Sequence, residues 1–120
     1  MSAWDLDIPG VSTVLTNTGA DLGVDEAGGG LAEQAETTGQ EIADAVEAVR
    51  SAPVEAELLR FLGTYNGRTG EMLITGLSCV VGAGEAAQAY MDGNEEMALE
   101  AQRNAGTADN LDLDGDGGAE

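Results

Sequence analysis

The chain has 120 residues and a mass of 12.2 kDa, enough for one domain. It carries 23 acidic residues, four arginines and no lysine or histidine, so its formal net charge is −19. This acidity makes nucleic acid and anionic membrane surfaces poor partners, because binding to either depends on cationic side chains. The absence of histidine excludes an imidazole base, a Ser–His triad and a histidine-bound zinc ion.

The composition also bears on stability and on partners. Aromatic residues make up only 3% of the chain. A core of Leu, Val, Met and Ala therefore buries little area, at roughly 25 cal/mol for each Å² removed from water. We expect a marginal monomer, which favours a partner chain. Two interpretations of the acidity stay open: it faces a basic partner, or it is a solvated surface suited to a salt-rich environment.

The first part of the chain predicts an extended arm followed by two helices. Residues 1–9 form the arm, because Ile8 precedes a proline and is biased away from helical backbone. A helix begins near Pro9. The glycines at 28–30 predict a break or loop over 23–30, since each costs roughly 1 kcal/mol relative to alanine inside a helix. Beyond the break, apolar residues recur at helical spacing: Leu31, Ala35, Thr38, Ile42, Val46 and Val49.

A long helix is predicted from about Pro53 to Met91, after a short turn at 51–53. Its apolar residues recur every three or four positions and cover a wide arc, more than one antiparallel neighbour would bury. A strand over 72–81 is the alternative that residue preferences alone allow. The short turn predicts an antiparallel helical hairpin, and the wide apolar arc predicts that this hairpin dimerises into a four-helix bundle. The residues predicted to form the interface are Leu58, Leu62, Met72, Leu73, Leu77 and Val80.

The C-terminal part predicts a short third helix and an acidic tail. Asp92 and Glu95 are predicted to form a capping pair for a short helix from Glu95 to Asn104. The hairpin domain thus spans 10–105, and 106–120 is predicted to be disordered. The run from Asp112 to Gly117 matches the opening of a calcium-binding loop, but the bidentate acid at its twelfth position is missing. We therefore expect no metal site and no cofactor.

The single cysteine, Cys79, lies in the apolar run and is predicted to be a buried, inert thiol; a bridge between two chains is the alternative. No general secretory signal is visible, because Asp5 and Asp7 stand where such a signal is basic or apolar. The longest uncharged stretch, 72–84, is shorter than the roughly 20 residues that span a bilayer. We therefore expect no stable membrane span.

Several features resemble the WXG-type helical-hairpin proteins that are exported by type VII (ESX) secretion. They are the helix–short turn–helix plan, the missing secretory signal and a tyrosine segment at the end of the long helix. The WXG tryptophan lies between the helices, whereas Trp4 is near the N-terminus. That family's export signal has an acid four residues after the tyrosine, whereas Tyr90 is followed by Asn94 and then Glu95.

A second resemblance is carried by both ends of the chain. The opening Met-Ser-Ala-Trp-Asp, together with 9–11 and 89–98, is similar to an uncharacterised actinobacterial family of unknown function. This resemblance implies no activity.

These observations predict a non-enzymatic helical interaction protein, associated with type VII secretion as a substrate or partner. Its expected partners are a second copy or a paralogous small helical protein, and the ESX machinery, with Tyr90, Asn94 and Glu95 as the secretion-signal region. The alternative is a cytoplasmic acidic adaptor or antitoxin-like protein that masks a basic partner. The expected location is accordingly outside the cell by a non-Sec route, or the cytoplasm.

Overall fold

A computed structural model of the chain describes residues 6–111. These residues form four helices and no strand: α1 (Ile8–Leu22), α2 (Gly30–Ala48), α3 (Ala52–Met91) and α4 (Glu95–Asn104). The all-α prediction is confirmed, and the strand alternative over 72–81 is wrong. Trp4 and the Asp112–Gly117 run lie outside the described residues. Ile8 and Pro9, predicted to end an extended arm, already belong to α1.

The chain forms two compact units. One contains residues 1–19 and 74–120, and the other contains residues 20–73. We call these the terminal unit and the central unit. Helix α3 contributes its first part, 52–73, to the central unit and its second part, 74–91, to the terminal unit.

The break between α1 and α2 lies where the glycines predicted it. Gly23 and Gly30 have φ angles of 79° and 63°, in the left-handed region that glycine adopts without strain. A side chain at Gly30 would also meet backbone, since its Cβ would lie 2.5 Å from the carbonyl oxygen of Asp21. The prediction of two helices separated by a loop at 23–30 is confirmed.

In the central unit, α2 lies against the first part of α3. Its predicted apolar stripe is the covered face: Val46 is buried, and Leu31, Ala35, Thr38, Ile42 and Val49 are half-buried. A Cβ placed on Gly39 would lie 3.3 Å from Asn66 Oδ1, so this glycine permits a close approach of the two helices. Only residues 49–51 separate α2 from α3, and Arg50 there has a φ of 47°.

In the terminal unit, the second part of α3 packs through small side chains. Its buried residues are Ser78, Gly82, Ala86 and Ala89, and those of α4 are Ala98 and Ala101. A Cβ on Gly82 would lie 2.6 Å from that of Ala105, so the backbones are as close as glycine allows. Elsewhere on α3, a Cβ on Gly84 would lie 3.7 Å from Leu15 of α1. The second part of α3 therefore contacts both α1 and the α4 region.

Helix α4 has the predicted bounds, Glu95–Asn104, but its N-cap is not the predicted residue. Asn94, not Asp92, is its N-cap, and the Asn94 side chain accepts a hydrogen bond of 3.0 Å from the backbone N–H of Met97. The assignment of Asp92 was wrong because residues 92 and 93 still close the end of α3. Their N–H groups donate to the carbonyls of Gln88 and Tyr90.

Two further sequence expectations differ from the structure. Cys79 is exposed rather than buried, because its neighbour Ser78 is the residue that points inward. Residues 106–111, predicted as part of a disordered tail, form turns that are hydrogen-bonded to Ser78. The hydroxyl of Ser78 gives these residues a polar anchor that apolar periodicity does not reveal.

Helix α3 is long and apolar enough to cross a bilayer by length and composition alone, with a mean hydropathy of 1.2 over its most apolar window. Core helices of soluble proteins pass the same test, so the observation is weak. The expectation of no membrane span remains a prediction.

Candidate interaction surface

Large apolar side chains are more often exposed than buried in the described residues. The buried apolar residues are Val46 and four alanines. Eleven larger ones are exposed: Leu6, Val14, Val24, Val54, Leu59, Phe61, Met72, Ile74, Met91, Met97 and Leu99. Single exposed apolar residues are ordinary, whereas a row of them on one element suggests a contact surface.

The six predicted interface residues are all at least partly accessible. Met72 is exposed, and the other five, Leu58, Leu62, Leu73, Leu77 and Val80, are half-buried. They fall into both units, with Leu58, Leu62, Met72 and Leu73 in the central unit and the remaining two in the terminal unit. Their role as an interface remains a prediction.

An apolar row lies on the first part of α3, wholly within the central unit. Val54, Phe61 and Met72 are 45%, 57% and 56% exposed. Their spacings of seven and eleven residues place them within about 20° of one direction around the helix. Leu58 and Tyr65 are half-buried and flank this direction. We call these five residues the α3 stripe.

The two aromatic rings of the α3 stripe form one surface. The ring centroids of Phe61 and Tyr65 are 6.4 Å apart, and the ring planes are inclined by 18°. Stacked rings one helical turn apart restrict each other's rotation, so the stripe presents a preformed aromatic patch.

Charge is distributed unevenly along the chain, and the α3 stripe lies in its neutral part. Residues 50–84 contain three arginines (Arg50, Arg60 and Arg68) and three glutamates (Glu55, Glu57 and Glu71), for a net charge of zero. The rest of the chain carries twenty acids and one arginine, which accounts for the whole −19. The stripe therefore lies on a segment whose own charges cancel.

Charged side chains lie along one edge of the α3 stripe. The Arg60 guanidinium is 3.1 Å from Glu57 Oε1, in an exposed pair one turn apart. Arg68 has no ion-pair partner among residues 6–111. Glu57 and Arg68 are eleven residues apart and therefore point within about 20° of each other, on the same edge of the stripe.

The predicted secretion-signal residues lie at the corner between α3 and α4, where each has a structural role. The Tyr90 hydroxyl accepts a hydrogen bond of 2.9 Å from Gln102 Nε2 of α4. Asn94 caps α4, and Glu95 is in its first turn, where a carboxylate is favourable beside the helix N-terminus. The corner is an ordered part of the terminal unit, and its proposed docking role remains a prediction.

Ser78 joins α3 to the residues that follow α4. Its hydroxyl accepts hydrogen bonds of 3.0 Å from the N–H groups of Gly106 and Ala108, and it donates to Asn110 Oδ1. The Asn110 amide in turn donates to the Ser78 carbonyl at 3.0 Å. Ser78 is fully buried, and Ala108 has a φ of 68°, so the bonds hold residues 106–110 in a turn that alanine seldom adopts. We call this arrangement the Ser78 clamp.

The terminal unit contains a groove lined in part by carboxylates. The groove of about 360 Å³ between α3 and α4 is lined by Glu85, Asp92, Met97 and Glu100, among others. Across residues 6–111, three potential metal ligands do not come together anywhere.

Sequence reasoning missed Val54 and Phe61, two of the most exposed members of the α3 stripe. The sequence does contain the signal that would have identified them, in the seven-residue step from Val54 to Phe61 and the eleven-residue step from Phe61 to Met72. These steps define a row distinct from the one that includes Leu62 and Leu73. The wide apolar arc of α3 contained both rows, and only the position of α2 separates the covered row from the uncovered one.

The comparisons with known proteins identify a family but no activity. A family model described as "Family of unknown function (DUF6507)" matches residues 1–119. No curated protein and no solved structure matches the chain significantly. The chain belongs to the DUF6507 family.

Proposed function

We propose that this member of the DUF6507 family is a non-enzymatic helical interaction protein that packs the α3 stripe against a helix of another chain. The observation that carries the proposal is the row of exposed side chains Val54, Phe61 and Met72 on one side of α3. Val46, at 9% exposure, is the one buried apolar side chain of the central unit. The central unit thus leaves these three large apolar side chains uncovered.

The energetics favour covering this row. Burial of a Val, Phe or Met side chain contributes roughly 1.5–3 kcal/mol, and the stacked aromatic pair adds shape and rigidity. The high charge elsewhere keeps the chain soluble while a neutral apolar surface stays open. This combination suits a protein that meets its partner after folding.

The architecture that we propose for the complex is a four-helix bundle. Helix α2 and the first part of α3 are joined by three residues, and Gly39 lies beside Asn66, as in an antiparallel helical hairpin. Two such hairpins supply four helices. The partner is a second copy or a paralogous small helical protein.

We further propose that the complex is a substrate or partner of type VII secretion. The support is the resemblance of the helix–turn–helix plan to WXG-type proteins and the tyrosine segment at the end of the long helix. In this proposal, Tyr90, Asn94 and Glu95 form a docking corner whose backbone is fixed by the Asn94 cap and the Tyr90–Gln102 hydrogen bond.

The experiment that tests the interaction places a photo-crosslinking amino acid at Phe61 in the host cell, with the same residue at the exposed Glu36 of α2 as the control. We expect one defined adduct from position 61 and none from position 36. An adduct at twice the 12.2 kDa monomer mass identifies a second copy, and another defined mass identifies a different partner. If position 61 gives no adduct beyond the control, the interaction proposal is wrong.

Export is tested separately by comparing culture supernatants of the host with and without its ESX ATPase. We expect the protein in the supernatant only when the ATPase is present. Equal amounts in both supernatants, or none in either, would contradict the secretion proposal and leave the helical interaction standing.

One observation favours the alternative, an acidic adaptor that masks a basic partner. Outside residues 50–84 the chain has twenty acids and one arginine. In this alternative, the acidic surface rather than the α3 stripe makes the contact. The affinity of such a complex falls as ionic strength rises.

A further inference from the structure

We infer that a second copy of this chain covers the α3 stripe, with the two α3 helices antiparallel and Arg68 of each copy beside Glu57 of the other. This inference rests on the proposed function and names its partner, its surface and its register. It replaces four of the predicted interface residues with the row that the structure leaves exposed.

The α3 stripe is complementary in shape and polarity to a second copy of itself. In a two-fold antiparallel pair, residues on the same edge of the two helices meet, and their numbers add to a constant. A pair centred near Gly63 places Val54 opposite Met72 and Phe61 opposite Tyr65 of the other copy. Every exposed apolar member of the row then meets an apolar side chain.

The charged residues at the edge of the α3 stripe also match across the two-fold axis. Within one residue of the same register, Glu57 faces Arg68, so the two-fold axis creates two identical ion pairs from a single sequence. Arg68 has no ion-pair partner within residues 6–111 of its own chain. Glu57 is 68% exposed at its side chain and, beside its bond to Arg60, has carboxylate lone pairs left to accept from a second guanidinium.

The distribution of charge along the chain favours a second copy over a basic partner at the α3 stripe. Two chains of net charge −19 repel each other over most of their surfaces, and residues 50–84, with no net charge, are where that repulsion is weakest. A basic partner would be drawn to the acidic remainder of the chain instead. A neutral apolar row flanked by one acid and one base is complementary to a copy of itself.

The back of the helix is compatible with this arrangement. Gly63, Gly67 and Gly70 lie on the opposite side of α3 from the stripe, and a Cβ on any of them would meet nothing within 4 Å. The pairing therefore leaves these positions unchanged, and they can be altered without touching the proposed interface.

The test is a charge-reversal cycle measured by sedimentation equilibrium on the full chain. We expect a wild-type dimer, and we expect Glu57→Arg and Arg68→Glu each to weaken association roughly tenfold by turning two attractive pairs into two repulsive ones. The double variant, Glu57→Arg with Arg68→Glu, should regain most of the lost affinity because it restores both pairs with opposite polarity.

An effect of net charge alone would change the dimer affinities of these variants in a different way, so the cycle distinguishes the two explanations. Glu57→Arg lowers the repulsion between copies, so a non-specific effect would strengthen the dimer. Glu36→Arg on α2 is the matched control, since it makes the same change of charge at an exposed position outside the stripe. We expect this control to leave the dimer unchanged or to strengthen it. Circular dichroism checks that each variant stays helical.

Three outcomes would overturn the inference. A wild-type monomer throughout the concentration range excludes the second copy, and a crosslink from position 61 to a different protein would then still support the proposed function. A wild-type dimer that Glu57→Arg does not weaken excludes this register. Single variants that weaken the dimer without recovery in the double variant exclude the Glu57–Arg68 contact.

Discussion

At the scale of single residues, Ser78 shows how much one hydroxyl determines in a core of small side chains. It is fully buried, and it satisfies two backbone N–H groups and one amide oxygen from a segment 28–32 residues away. A buried donor left without its partner is costly, so the contribution of this hydroxyl exceeds that of an ordinary surface bond.

Removal of the Ser78 hydroxyl should loosen the Ser78 clamp. We expect Ser78→Ala to reduce the free energy of unfolding by about 1–3 kcal/mol, because the N–H groups of Gly106 and Ala108 lose their acceptor. Urea unfolding followed by circular dichroism measures the change. Ser12→Ala, at an exposed position of α1, is the control and should change stability by less than about 0.5 kcal/mol. Equal stability of the two variants would contradict the role of the clamp.

Two glycines of α3 should respond to alanine in opposite directions. Gly82→Ala places a Cβ 2.6 Å from that of Ala105 and should destabilise the fold by about 1–3 kcal/mol. Gly63→Ala meets nothing within 4 Å and should stabilise the helix by up to about 1 kcal/mol. Thermal unfolding of both variants tests the pair, and a higher melting temperature for Gly82→Ala would show that α3 and Ala105 are not in close contact.

At the scale of elements, the sequence predicts helix positions well because the residues that end each helix lie next to it in the chain. The glycines at 28–30, the short link near Ser51 and the Asp92–Asn94 corner each interrupt a periodic pattern, and the structure places helix ends at all of them. The capping residue was misassigned because Asp92 and Asn94 both suit an N-cap by chemistry. Only the path of the chain through Gly93, with a φ of 74°, decides between them.

The N-cap of α4 offers a test at this scale. We expect Asn94→Ala to lower the stability of α4 by about 1 kcal/mol, since the N–H of Met97 loses its acceptor at the start of a ten-residue helix. Hydrogen exchange of the amides in 97–104 should accelerate several-fold. Asp92→Ala, which removes only the exposed bond from Gln88, is the control. Equal exchange in both variants would argue against the Asn94 cap.

The candidate surface was harder to predict than the helices, because it depends on how α2 packs on α3. Helical periodicity identifies a wide apolar arc on α3, but it does not say which part of the arc α2 covers. Leu62 and Leu73 were expected at an interface and are half-buried, whereas Phe61 stands one residue away and is exposed. A rotation of 100° around the helix separates the two assignments, and packing decides it.

At the scale of the whole molecule, net charge and apolar surface make opposite demands on association. A charge of −19 opposes contact between copies, while the neutral α3 stripe favours it. Salt weakens the first effect over a Debye length of roughly 8–10 Å near physiological ionic strength and leaves the second largely intact.

Self-association should therefore strengthen as salt is added. We expect the dimer dissociation constant to fall several-fold between low and high salt, because screening reduces the repulsion between two acidic chains. Sedimentation equilibrium at a series of sodium chloride concentrations measures this trend. A dissociation constant that rises steeply with salt would instead indicate contacts made through charge, as the acidic-adaptor alternative requires of its complex.

Self-association of the chain through the α3 stripe is the central prediction. The most direct measurement is multi-angle light scattering after size exclusion on the wild type, Phe61→Asp and the matched control Val14→Asp, which alters an equally exposed apolar residue of α1. We predict twice the 12.2 kDa chain mass for the wild type and the control, and the single-chain mass for Phe61→Asp with its helicity retained. A wild type at the single-chain mass, or Phe61→Asp at the same mass as the control, would contradict self-association through the α3 stripe.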